Sequence, residues 1–526
     1  MRIPFSIFLI FIHLQLFSQQ WLGISSSNYS GTYGIYNNPA NVADTRYKFF
    51  LNLAGGNIEV ANNYASWGAP YSLIGILTNT VSDKYRSANG AILYKNSYTK
   101  EDLENKTSTA FMGADIRGPS IMYTFEKYKF SVGLTTRMRL LTNLSNTTTP
   151  IARILVNGTA LPAIYGIAQN DNHFVMNMNG YVEMGLTFGM VIREQDENFL
   201  KAGLTVKRVN ALMNVHYLGN DVDYMIDRVA ARPKRQNVFF ENAQGTYGLT
   251  KSGALESASF SPDWLFGNAG AGSGYGFDAG IVYEYRPDYK NYDIKLKDRW
   301  TTDGTQNKYL YKIGIALLDI GRMKYNNPNY VFQTDIAETG VLVAPGTFNK
   351  IDSPEKLYQQ MNTAFGLQET NYHHDFISAL PTAFSANFDY HYSQKFYLSA
   401  SWIQSLRNPR VQGMNQPSLI AVTPRWEAKW LEVSLPLVLM NGYRNFTVGL
   451  AGRAGPLFIG TDNLGGLLNI GNPRGINAYF GLFLPILRKL PDSPNPCYTE
   501  NKTGWGQGIR DIFQKRKKQR RWNRIR

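Results

Sequence analysis

Cysteine is almost missing: Cys497 is the only one in 526 residues. A lone thiol excludes an internal disulfide and a thiolate-built structural metal site. Its place near the C-terminal end also excludes a lipid-anchor cysteine behind an export signal. Charge is scarce too, at 18% of residues, where about a quarter is usual for a soluble domain. After the N-terminus no apolar run reaches the roughly 18 residues that a spanning helix needs. Helical membrane crossing by the exported chain is therefore excluded. Histidine is sparse, with six in all, one of them (His13) in the leader.

Residues 1–18 read as that leader, a signal peptide. Arg2 gives the positive start, Ile3 to Phe17 an apolar core, and Ser18-Gln19-Gln20 a small-residue cleavage region. The chain is rich in Tyr (33), Phe (29) and Gly (47), and no Pro/Ser-rich linker interrupts it before residue 490. About fourteen stretches alternate apolar and polar residues one at a time, as in Phe130 to Leu140. There Phe130, Val132, Leu134, Met138 and Leu140 share one face, and Ser131, Gly133, Thr135, Arg137 and Arg139 the other. A two-residue period means a strand between two environments. Charges such as Lys201, Lys207, Glu183, Asp278 and Asp389 recur on the polar face.

Connection lengths choose between a soluble sandwich and a membrane barrel. Short polar turns at 126–128, 194–198, 393–394 and 427–429 separate long connections near 61–107, 145–175, 219–273 and 325–375. Tight turns on one side and long loops on the other are the plan of an outer-membrane barrel. The expected strands are 48–60, 108–125, 129–144, 178–193, 199–217, 274–285, 308–322, 377–392, 395–407, 418–427, 431–440, 445–453, 456–462 and 475–487. The expected fold is thus an all-β transmembrane antiparallel barrel of about fourteen strands, within a range of twelve to sixteen. An even count returns both ends to the periplasmic side of a Gram-negative outer membrane. One strand slips phase: its apolar face runs through Met112, Ala114 and Ile116, then Ile121, Tyr123 and Phe125. The slip falls at Gly118-Pro119, where proline also removes a ladder donor. It reads either as a bulge that bends the strand or as a gap through which an apolar ligand leaves sideways.

Between leader and barrel, residues 19–46 are rich in Gly, Ser, Asn and Tyr and do not alternate. Such a segment would fill the lumen as a plug. With its Asn38-Pro39-Ala40 element, the chain resembles the long-chain fatty-acid transporter (FadL-type) family and the related PorV-like barrels of type IX secretion. That resemblance implies an N-terminal plug ahead of a fourteen-strand barrel. The phrases YNNPANVAD (36–44) and NPRGINAYFGLF (472–483) also resemble a group of uncharacterised outer-membrane proteins, which implies a fold and a location but no chemistry.

Catalytic constellations are poor. His373-His374-Asp375 would place neighbours on opposite strand faces, so it reads as a solvated loop rather than a metal site. Gly270 to Gly274 precedes a strand where a dinucleotide loop needs a helix. A serine–histidine pairing of His391 with Ser385 or Ser399 has little behind it. The expectation is no enzyme, no cofactor and no metal.

The barrel is expected to span 47–488 and a basic tail 489–526. Trp505 precedes the run Lys515, Arg516, Lys517, Lys518, Arg520, Arg521 and Arg524, part of a stretch with eight positive and no negative charges in a chain of net charge +15. Behind an export signal, that run argues for acidic envelope proteins, anionic lipid or cell-wall groups as partners, and not for nucleic acid. Two functions remain open. One is a barrel admitting small hydrophobic molecules, with lipid and a hydrophobic ligand as partners. The other is a non-transporting scaffold or accessory subunit of an outer-membrane complex, held through its tail and long loops.

Overall fold

The computed structural model describes residues 21–104, 107–227, 236–256, 270–296, 299–348, 351–393 and 395–489. The expected signal peptide, Cys497 and the tail from 490 on, with Trp505 and the basic run, lie outside the described residues.

Fourteen staves form the wall. They begin with β1 (Tyr47–Asn62), β2 (Thr107–Arg117 and Ser120–Phe125), β3 (Phe130–Thr148), β4 (Gln169–Gln195) and β5 (Asn198–Ile226). Next come β6 (Gly272–Tyr285), β7 (Tyr311–Tyr325), β8 (Phe376–Ala379 and Ala383–Ser393), β9 (Phe396–Ser405) and β10 (Leu419–Glu427). The last are β11 (Leu431–Ser434 and Leu437–Met440), β12 (Asn445–Val448 and Leu450–Ala454), β13 (Leu457–Thr461) and β14 (Gly475–Leu487). Each pairs antiparallel with the next. β14 pairs back onto β1, from Tyr47↔Leu487 to Ala61↔Gly475. The sheet is closed and has no free edge, which is the condition for strands to cross a bilayer.

Alternation does the sorting that the sequence expected. On β3, Ser131, Thr135, Arg137 and Arg139 are buried, while Leu134 and Met138 lie on the outer surface. The outer face continues with Leu186, Leu204, Ile281, Ile315 and Leu398, all exposed. Soluble monomers rarely expose apolar patches beyond a few hundred Å², so a wall apolar all round belongs in lipid. At the short-turn end Phe125, Phe130 and Phe188 stack in a row, and Tyr285 stacks on Tyr311 at 5.2 Å. Rings at stave ends suit the bilayer interface. The tight turns there use left-handed residues, Lys129 (φ 51°) and Asp196 (φ 51°).

The connections depart from expectation in two ways. At the short-turn end, 286–310 is long and carries the hairpin Asp293–Leu296 with Arg299–Thr302. At the other end, much of the sequence read as loop is strand. β4 and β5 run 27 and 29 residues, about three times what crossing a bilayer requires. The upper part of β5 pairs with Val238–Thr250, which pairs with Val331–Val343. The helix Pro354–Phe365 buries Tyr358, Met361 and Phe365 against this extension. Beyond the lipid neither face must be apolar, so these strands carry no alternation to read.

Candidate functional site

Residues 21–46 run inside the barrel from its short-turn end. They form one helical turn, Leu22–Ser25, and two 3-10 turns, Gly31–Gly34 and Pro39–Val42. Trp21 and Tyr33 are each 1% exposed. Trp21 stacks on Tyr479 of β14, and Tyr33 meets Phe458 of β13 edge-on at 4.9 Å. The backbone N–H of Leu22 donates to Asp462, and the Ser27 hydroxyl donates to Glu432 on β11 at 2.8 Å.

Asn38, Pro39 and Ala40 have separate jobs. The Asn38 carbonyl oxygen caps the turn by accepting from the Ala40 N–H at 2.9 Å. Its amide donates to the carbonyls of Ile281 and Ile315, both at 3.1 Å. Pro39 opens the turn, where its missing N–H costs nothing. The wall makes room with glycine. A Cβ on Gly203 would lie 2.4 Å from the Pro39 carbonyl carbon, and one on Gly280 2.3 Å from Asn38 Oδ1.

Above this segment lies a layer of buried charge. Arg137 binds Glu183 at 2.6 Å, Arg139 binds Asp319 at 2.8 Å, and Lys207 binds Asp319 and Asp278 at 2.5 and 2.7 Å. Arg117 pairs with Asp115 at 2.9 Å, and Arg137 lies 3.9 Å from Asp115. Four cations thus meet four carboxylates across six staves, so the layer is neutral overall. Desolvated charges are tolerable only when paired in this way. Alternation alone places Arg137, Arg139, Lys207, Glu183 and Asp278 on the inner face. It does not single out Asp115, Arg117 and Asp319, because pairing partners become visible only once the register is known.

Gly118 and Pro119 sit where β2 changes phase. Arg117 pairs with Arg137 and Ile121 with Leu134, so three residues on β2 face two on β3. The burial pattern switches with it: Asp115 and Arg117 point inward, then Ser120, Met122 and Thr124. The Gly118 N–H still donates to the Thr136 carbonyl at 3.0 Å, and side chains bond the rest of the freed backbone. Asn52 donates to the carbonyls of Gly118 and Arg117 at 2.8 and 3.4 Å. The Thr136 hydroxyl donates to the Pro119 carbonyl, and the Thr136 N–H to the Ser120 hydroxyl. The N-terminal segment touches the same spot. The Arg117 guanidinium lies 4.0 Å from the Trp21 ring and 4.2 Å from the Tyr36 ring, and the Tyr33 hydroxyl bonds Asn52.

A second interruption, with no sequence signal, follows the five-residue β13. There side chains replace the ladder: Thr447 donates to the Asp462 carbonyl, and Asn463 to the Gly475 carbonyl.

On the long-loop side of the charge layer Phe111, Met323, Tyr325 and Phe376 form one buried apolar cluster, beside a buried polar set in which Asn214 and Ser378 donate to Asn179. The connection 406–418 crosses it. Met414 joins the cluster, Asn143 donates to the Asn415 carbonyl, and Ser145 to the Pro409 carbonyl.

His216 packs edge-on against Phe376 within that cluster, and the candidate histidines 373, 374 and 391 fall elsewhere. The backbones of His373 and Gln333 exchange hydrogen bonds, and His374 Nδ1 lies 2.8 Å from the Val331 carbonyl. His391 stacks on Tyr397. Among the described residues no cluster of three or more His, Cys, Asp or Glu is arranged to hold a metal.

The fold is similar to several solved barrels at very low identity. A mutant of the Pseudomonas putida monoaromatic hydrocarbon channel TodX is 8% identical, covering 87% of this chain and 95% of that one, with a TM-score of 0.38. The Ralstonia pickettii toluene transporter TbuX is 8% identical, covering 90% and 100%, with a TM-score of 0.36. A Pseudomonas aeruginosa FadL homologue is 10% identical, covering 89% and 98%, with a TM-score of 0.29. No curated protein matches the sequence. A family model matches residues 39–462, and the chain belongs to that family, described as Family of unknown function (DUF5723).

Proposed function

We propose that this protein is an outer-membrane barrel that admits small hydrophobic molecules. In this reading both chain ends are periplasmic, residues 19–46 act as a plug, and solute leaves sideways at Gly118-Pro119. One observation carries the reading: the bulge, the charge layer and the N-terminal segment meet at Arg117. An apolar solute that descends past the apolar cluster of the outer half reaches eight paired charges, which it cannot solvate. Straight passage is therefore disfavoured. In the wall beside that layer, side chains of Asn52, Thr136 and Ser120 supplement a ladder reduced to the Gly118 N–H bond to the Thr136 carbonyl. Asn52 and Arg117 bond or stack with the segment, so a shift of the plug would loosen the bulge.

Deleting Pro119 tests this directly. Without it, Gly118 would face Thr136 and Ser120 would face Thr135, so β2 would pair with β3 without a break, and its register with β1, now even between Gly55↔Arg117 and Asn52↔Ser120, would shift by one residue. The variant is expected to fold as a heat-modifiable barrel and to lose uptake of a labelled monoaromatic compound in reconstituted vesicles. Undiminished uptake would remove the bulge from the pathway.

The filling of the lumen from both ends favours a second reading, a non-transporting subunit of an envelope complex gripped through the basic tail. In that case partners co-purified from native membranes would be lost on deleting 504–526, and vesicles would show no uptake.

A further inference from the structure

Where the N-terminal segment meets the loop 286–310, a polar cavity of about 90 Å³ remains. Ser27, Asp44 and Arg46 line it from the segment, and Arg286, Lys308 and Lys312 from the wall and loop. Its five cations (Arg46, Lys201, Arg286, Lys308, Lys312) face three carboxylates (Asp44, Glu284, Asp389). Those carboxylates are already engaged. Asp44 binds Arg286 at 2.8 Å and Arg488 at 3.1 Å. Glu284 binds Arg286 and Lys201. Asp389 takes both Arg425 nitrogens, at 2.8 and 2.7 Å, and the Tyr309 hydroxyl.

Lys308 is left with the least. It is 7% exposed, and its ammonium stands 4.0 Å from Asp44, beyond hydrogen-bond reach. The turn that carries it is held firmly: Asp303 accepts from the Thr305 N–H and the Gln306 amide, and Asn307 bridges Arg46 and Tyr397. Burial pulls the Lys308 ammonium below the ordinary lysine range, and Asp44 only partly offsets it. A buried ammonium three donors strong, facing a wet cavity with surplus positive charge, calls for an acceptor.

We propose that this cavity binds a small oxyanion, a phosphate or a carboxylate, held by Lys308 between the N-terminal segment and the loop. The anion would supply the missing charge and tie segment to loop, whatever the barrel transports. The cavity has room for several waters or one such ion, and too little for a lipid headgroup with its glycerol.

The test titrates inorganic phosphate, and separately acetate, into the delipidated full-length barrel by calorimetry. Saturable binding of at least one is expected. Lys308→Gln should weaken it about tenfold or more, the scale of a charge-assisted hydrogen bond. Lys308→Arg should keep most of it, and Lys324→Gln, on an exposed stave position, should change nothing. Hydrogen exchange on the unmodified protein gives a readout independent of variant folding: the bound anion should slow exchange in 24–46 and 303–310. The proposal is overturned if neither anion binds saturably, if Lys308→Gln binds as well as the parent, or if exchange in those segments is indifferent to the anion.

Discussion

Asp319 is shared between Arg139 and Lys207, which approach its two oxygens at 2.8 and 2.5 Å. Asp319→Asn would leave two buried cations one carboxylate short. Breaking a buried pair in this way costs about 3–5 kcal/mol, and urea unfolding in vesicles should show a loss of that order. Gly203→Val acts by shape instead. Its side chain would occupy the place of Pro39 and Ala40, so the barrel should stay folded while a cysteine placed at Ala40 becomes reactive to a bulky maleimide. Asp44 adds a pH dependence. Burial alone would raise its carboxyl, but Lys308, Arg286, Arg488 and Lys201 outweigh burial and hold it well below the usual carboxylate range. A depressed folded pKa means that its stabilisation is complete above the unfolded pKa of about 4 and is lost as pH falls below it. Urea should therefore loosen the segment, read by the fluorescence of its buried Trp21, at lower concentration as pH falls from about 4 to about 2, and less so in Asp44→Asn, which has already lost the interaction.

Two pieces of chain lie in series along the lumen, the segment 21–46 and the connection 406–418. Shortening 408–416 to a Gly-Ser link should leave planar-bilayer conductance near the parent's, and removing 21–44 as well should raise it sharply. A large rise from the first change alone would mean that the segment does not close its end. Seen by element, the fourteen staves were legible because each faces lipid on one side and a polar lumen on the other, which writes a two-residue period into the sequence. The phase slip at Gly118-Pro119 was legible for the same reason, as an error in that period. The strands Val238–Thr250 and Val331–Val343 were not, since they pair with each other and with the upper part of β5, above the membrane. Asn38-Pro39-Ala40 stands out as a short motif, but its seat on Gly203, Gly280 and Ile315 comes from staves far along the chain. Lys308 carried no signal at all, because its isolation is a property of which carboxylates its neighbours have already taken.

At the scale of the whole molecule, closure joins the two ends of the described barrel: β1 pairs with β14. The N-terminal segment is bound by those same late staves, with Leu22 bonded to Asp462 and Gly23 to Tyr479, across 440 and 456 residues. Contacts so distant in sequence form late and slowly. The segment nevertheless lies inside a wall with no free edge, so threading it in afterwards would mean pulling a folded polar chain through the mouth. It must already be in place when the final hairpin arrives. The first described residues thus serve as the former around which the wall is drawn shut. The last staves dock onto them as well as onto β1, so the segment becomes a template that helps set the register of the closing seam.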